Sequence, residues 1–253
     1  MTKLSLWMLF ILLILTALVL AYPRWHKKII LKRWRRRLSL DHHYQQYQTL
    51  FEPINGFEIS KQARAHRDAM EYTYGEIEFL PFIALLSLTN PTTESIFYDL
   101  GSGTGKAVIA AAMVFPLKKS CGIELFNPLH DAACQQQQKL MLIPEYQQAA
   151  SHVVFIQDTF LNANFQDATH LFIQSTALIG ETWLSLQDQL ESLAPETQII
   201  TTTKKLMSDS FVLTHACPVE MSWGVVMAFI HLKKVTARRV VLNPGERSDL
   251  SAG

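Results

Sequence analysis

The apolar and polar positions of this chain change rhythm three times. From Leu4 to Tyr22 there are 19 residues without a charge. From Arg24 to Arg37 the pattern reverses, with eight Lys/Arg and no acid. From Ser39 to Tyr72 it is amphipathic, one or two helices with a break at Phe57-Glu58. Beyond Tyr72, short apolar runs bounded by Gly, Asp or Asn alternate with helical stretches. Ile96–Tyr98, Ser120–Ile123, Val153–Gln157, His170–Ile173 and Gln198–Thr203 read as buried strands. Phe79–Leu88, Ala107–Val114 and Glu181–Leu193 read as helices. Phe211–Ala216 and Val225–Leu232 form a closing hairpin. Strands alternating with helices predict an α/β fold with a doubly wound sheet of seven strands, mostly parallel with an antiparallel last strand.

At about 1.5 Å per residue, a Leu4–Tyr22 helix nearly spans a hydrocarbon core of roughly 30 Å. Trp25 and Trp34 lie in the basic run as candidate interface anchors, and the cations after the span place the rest of the chain on the cytoplasmic side. The expected organisation is therefore a single-pass transmembrane anchor with its basic segment (1–37), a helical stem (38–72), a catalytic α/β domain (73–235) and a tail (236–253). A cleaved signal peptide is the competing reading, and the cations downstream oppose export.

The candidate chemistry lies between the first two strands. Asp99-Leu100-Gly101-Ser102-Gly103-Thr104-Gly105-Lys106 is a strand end, a glycine loop and a helix start. Alternate glycines let the backbone turn and approach a ligand, and the helix start offers free N–H groups. A phosphate-binding P-loop needs glycine at 100 and Ser or Thr at 107; Leu100 and Ala107 stand there. Glu124, 23 residues after Gly101, ends the second strand, where a carboxylate accepts both hydroxyls of a ribose. Asp99 suits a ligand with a cationic amine. S-adenosylmethionine, with an amino acid tail and no phosphate, meets both demands. Asp99, Glu124, Asp158 and Gln174 all fall at the carboxyl edge of the sheet, where such folds bind ligands.

Composition narrows the partners. From Leu38 onward 14 Lys/Arg face 22 Asp/Glu, which disfavours a nucleic-acid surface. Cys121, Cys134 and Cys217 show no metal-ligand spacing, there is no H-E-x-x-H, and no metal site is expected. His42-His43 and Gln135–Gln138 read as solvated helix faces.

The motif Asp-Leu-Gly-Ser-Gly-x-Gly resembles the class I S-adenosylmethionine-dependent methyltransferases and their Rossmann-like sheet. Tyr74-Gly75-Glu76, Gly122-Ile123-Glu124, Asp158-x-Phe160 and Ser222-Trp223 follow the order of the non-SET, Dot-one-type histone lysine methyltransferases, over roughly Tyr72 to Lys233. That resemblance implies S-adenosylmethionine as cofactor, held by Tyr74, Glu76, Asp99, Gly101, Ser102, Gly103, Lys106, Glu124, Asp158 and Phe160. It implies acceptor-side roles for Tyr74, Gln174 and Trp223, with Tyr72, Tyr74, Phe160 and Trp223 as aromatic walls. Gln174-Ser175-Thr176 stands where the family has Asn-Asn-Phe, Lys106 replaces the loop's glutamine, and the family's basic nucleosome-binding extension is missing. The membrane-anchored lysine methyltransferases of the ATP synthase c-subunit are also similar, in the N-terminal span, the Val108–Ala112 run and the Glu124-Leu-Phe-Asn127-Pro128 step. Both resemblances imply a protein lysine as acceptor, here on a membrane-proximal protein. The alternatives are a small-molecule or lipid acceptor, and a nucleoside-binding module without transfer activity.

Overall fold

The computed structural model describes residues 25–65 and 72–235, with positions 7, 22, 23 and 69 besides. The expected Leu4–Tyr22 span lies outside the described residues apart from Trp7 and Tyr22, and the 236–253 tail lies outside them altogether. Among the described residues no helix is long and apolar enough to cross a membrane.

Residues 25–37 form helix α1, followed by α2 (Leu40–Phe51), α3 (Gly56–Ala63) and α4 (Phe79–Ser87). Then β1 (Ile96–Leu100), α5 (Lys106–Val114), β2 (Lys119–Glu124), α6 (Asn127–Met141), the short α7 (Gln147–Ser151) and β3 (Val153–Gln157) alternate. The chain closes with β4 (His170–Ile173), α8 (Gly180–Glu191), β5 (Gln198–Thr202), β6 (Phe211–Met221) and β7 (Gly224–Lys233). The seven strands form one sheet in the order β3-β2-β1-β4-β5-β7-β6. β1 to β5 pair in parallel, and β7 runs antiparallel to both of its neighbours. This is the mixed seven-stranded sheet that the strand pattern predicts.

Burial explains why the helices form where they do. In α5 every residue from Ala107 to Met113 is buried, because the helix lies between the sheet and the layer made by α2, α4 and α7. Small residues allow that close approach. Tyr47 and Phe51 of α2 pack at a tilt, ring centroids 4.8 Å apart, and join the same core, so the α2 part of the expected stem is packed onto the sheet unit. Its break falls at Glu52–Asn55, earlier than Phe57-Glu58, because Asn55 accepts the Glu58 N–H and caps α3.

Packing corrects three further expectations in whole or in part. Trp34 is no free interface anchor: its indole N–H donates to Ser87 Oγ of α4 at 3.2 Å. His42 is exposed as expected while pairing with Glu145 at 2.7 Å, and half-buried His43 pairs with the Tyr146 hydroxyl at 2.7 Å, so the histidines tie α2 to the turn before α7. In the glutamine run Gln136 is fully buried, and Gln137 donates to the Ala150 and Val153 carbonyls. Gln136 leaves the solvated face, on which Gln135 and Gln138 lie exposed as expected.

Candidate functional site

At the carboxyl edge, β1 ends in Asp99-Leu100 and the chain turns back over β2. Gly101, Gly103 and Gly105 have φ of 85°, 54° and 82°, a region side chains rarely enter. The Gly101 and Ser102 N–H groups both donate to the Ile123 carbonyl, which pins the loop onto the second strand.

Two cavities meet here. The larger, about 300 Å³, is lined among the described residues by Leu100, Glu124, Phe126, Leu129, Phe160, Leu161, Leu178 and neighbouring polar groups. The smaller, about 30 Å³, is lined by Glu76, Asp99, Ser102, Gly103, Lys106 and others. Tyr74, Gly75, Gly101 and Gln174 line both, so they form the joint between an apolar chamber and a charged one.

The electrostatics of the joint follow from burial. Asp99 is buried, and no described residue donates a hydrogen bond to its carboxylate. Burial, reinforced by the nearby Glu124 charge, pushes its pKa up to about 8. Glu124 is also buried and also shifted upward, by desolvation. Its two oxygens accept the Gly103 and Phe126 N–H groups at 2.8 Å each. Both bonds leave a lone pair on each oxygen. Ser102 Oγ is buried without a partner, held beside Gly122, where a Cβ would stand 2.6 Å from that oxygen. A buried acid without a donor and an orphaned hydroxyl beside a glycine cradle fit a ligand with an ammonium group and a close main chain.

The Tyr74-Gly75-Glu76 segment covers the loop. The Tyr74 hydroxyl donates to Glu76 Oε1 at 2.7 Å and lies 3.3 Å from Thr104 Oγ1. Its ring is 2.8 Å from where a Cβ of Gly103 would sit. Burial, then the Glu76 charge, raises its pKa far above the usual phenol value. Lys106 closes the arrangement with an ion pair to Glu76 Oε2 at 2.5 Å. The segment is also tied to the β6–β7 turn. The Ser222 N–H donates to the Glu76 carbonyl, the Glu76 N–H donates to Ser222 Oγ, and Ile77 bridges Met221.

Of the expected site residues, Tyr74, Glu76, Asp99, Gly101, Ser102, Gly103, Lys106, Glu124, Phe160 and Gln174 converge on the two cavities. Asp158 does not line them; its carboxylate accepts the Thr159 N–H next to it. Trp223 does not line them either, since its ring backs Gly75 from outside. Ser175 bonds the Thr202 carbonyl and Thr176 pairs with Thr203, leaving Gln174 as the residue of that trio facing the cleft. Phe126, Leu129 and Leu178 were not anticipated. Phe126 had a signal, since it follows Glu124 at the helix start and its N–H meets that carboxylate; the two leucines looked like any core residue. Among the described residues no group of His, Cys, Asp or Glu could hold a metal ion.

An RNA methyltransferase from Salinibacter ruber, in complex with S-adenosyl-L-homocysteine, is similar at 20% identity with a TM-score of 0.49, over 62% of this chain and 93% of that one. TrmN from Thermus thermophilus is similar at 16% identity with a TM-score of 0.49, over 69% and 53%. The Caenorhabditis elegans histone-lysine N-methyltransferase, H3 lysine-79 specific, is 31% identical over 137 residues, which are 51% of this chain and 14% of that protein. The family model of histone methylation protein DOT1 matches residues 58–228, well over half of the chain. This chain belongs to the DOT1 family of class I methyltransferases, with S-adenosylmethionine as its cofactor.

Proposed function

We propose that this protein is a membrane-anchored methyltransferase acting on a lysine of a membrane-proximal protein. The observation that carries the reading is the joint between the two cavities. The small pocket holds carboxylates of Asp99 and Glu76 together with the Lys106 ammonium, matching the two charges of an amino acid tail. The larger chamber offers Glu124 for a ribose and Phe126, Phe160 and Leu161 for a base. S-adenosylmethionine supplies the activated methyl group when bound.

The residues of this chain position and desolvate. Tyr74 and Gly75 cover the loop, and Glu76 is held by Lys106 and Tyr74. Gln174, at the joint, offers an amide oxygen to the N–H of an incoming amine. The apolar wall excludes water, so the amine enters after losing its proton to solvent, and most of the rate gain comes from orientation.

Charge supports a protein acceptor. Residues 72–235 contain eight lysines, no arginine and 15 Asp/Glu, a poor surface for phosphate backbones and a good one for a lysine-bearing partner. Anchoring by Leu4–Tyr22, with the domain on the cytoplasmic side, rests on the uncharged run and the cations that follow it.

The test is incubation of the purified full chain with methyl-labelled S-adenosylmethionine and, separately, lysine peptides, nucleosomes and RNA. Label on lysine amines supports the reading. Label on RNA alone, or cofactor binding without transfer to any amine, overturns it.

A further inference from the structure

Among the described residues, nothing covers the sheet face next to the cleft. β7 leaves β5 at its carboxyl end, where the Thr203 N–H donates to the Met227 carbonyl at 2.6 Å. Beyond that point Val225 is 70% and Met227 42% exposed, and Trp223, at the turn, is 43% exposed. Val225 and Met227 point to the side opposite Ala228 and Ile230, which are buried in the core. Their cross-strand partners are Glu220 and Pro218. The result is an apolar strip with one carboxylate at its tip, running into the turn that backs Gly75.

The edge beside this strip is unsuited to receiving another strand. Pro218 has no N–H to offer, and the register shifts between Leu213 and His215, two features that block pairing along β6. The face, rather than the edge, is what is offered. Glu220, exposed and opposite Val225, gives the tip a negative charge.

We infer that the strip formed by Val225, Met227 and Pro218, ending at Glu220, is the docking surface for the methyl acceptor, and that it selects a polypeptide segment in which apolar residues flank the lysine. The inference rests on the protein-lysine reading above and adds the chemistry around the lysine. Apolar flanks remove Val225 and Met227 from water, while the target amine is drawn along the Glu220 side toward Tyr74 and Gln174. Glu220 is complementary in charge to the lysine, and the exposed strip of Pro218, Val225 and Met227 to its apolar flanks.

Two labelled heptapeptides test this, one with Leu and Val on both sides of a central lysine, the other with Gly and Ser. Binding of each is measured by fluorescence anisotropy to the full chain loaded with S-adenosylhomocysteine, and methylation is measured with labelled cofactor. The expected result is a preference of about tenfold or more for the apolar peptide. Val225→Ser with Met227→Ser should abolish the preference while leaving cofactor affinity unchanged. Equal use of both peptides, or a preference that survives the double variant, overturns the docking assignment and leaves the lysine reading standing. Variant-sensitive binding without methylation keeps the docking and removes the lysine reading; absence of both binding and methylation removes both. A wild-type dimer that the double variant renders monomeric in sedimentation would show the face to be a contact between copies, and would also overturn the inference.

Discussion

The ring of Trp223 occupies the space that a side chain at position 75 would need. Gly75 is therefore glycine for the sake of the β6–β7 turn, and the Tyr74-Gly75-Glu76 segment and the last hairpin form one unit. Gly75→Ala should push the ring or the loop aside. Overpacking of this kind costs about 1–3 kcal/mol. We expect cofactor affinity by calorimetry to fall about tenfold, with partial recovery in Gly75→Ala/Trp223→Ala. A single Gly75→Ala variant with unchanged affinity would sever the link between loop and hairpin.

Asp99 and Glu124 should behave differently on truncation although both are buried acids. Glu124 accepts two main-chain N–H groups. Glu124→Ala orphans both, at roughly 1–3 kcal/mol each, and should lower the melting temperature as well as cofactor affinity. Asp99→Ala orphans no donor, so stability should hold or rise while affinity falls about ten- to a hundredfold. Parallel melting and titration curves decide; equal loss of stability in both would contradict the hydrogen-bond assignment.

Burial pushes the pKa of Asp99 up to about 8, which should make cofactor binding pH-dependent. A raised carboxyl pKa favours the folded protein in its neutral form. That contribution is complete below about pH 4 and is lost as pH rises through 8. An ammonium placed beside Asp99 favours the ionised form, so binding below pH 8 releases a proton. Affinity should rise between pH 6 and 8, by at most about tenfold per unit, and Asp99→Asn should flatten the slope. Calorimetry in buffers of different ionisation heat measures the proton directly; no release at pH 6.5 would remove the assignment.

The Lys106–Glu76 pair is mostly shielded, with side chains 23% and 14% exposed. Lys106→Ala leaves Glu76 without its cation in a small pocket, and we expect about tenfold weaker cofactor binding. Lys106→Gln, which still donates, should lose less. Equal loss in both would mean that the charge, not the hydrogen bond, holds the segment.

Removal of residues 1–24 should move the protein from the membrane to the soluble fraction and leave cofactor affinity unchanged. The deletion stops short of Trp34, which packs on α4. Retention of the truncated chain in the membrane pellet would contradict the anchor.

The order of strands and helices, the glycine loop and the acids at strand ends were legible in the sequence, because they depend on local periodicity and on backbone demands that particular residues satisfy. Asp99-Leu100-Gly101-Ser102-Gly103 and Glu124 could be located from the chain itself, since a glycine loop after a buried strand leaves few alternatives. Distance in space was not legible. The pairing of Lys106 with Glu76, 30 residues apart, the seating of Trp223 against Gly75, and the burial of Gln136 all depend on which faces the packed sheet brings together. Trp223 read as an aromatic wall and is a brace; the 38–72 segment read as a helical stem, and its helix α2 packs into the core. The residue types were known in each case. Their roles were decided by tertiary packing, because burial and hydrogen-bond partners are properties of the folded surroundings and carry no local signature.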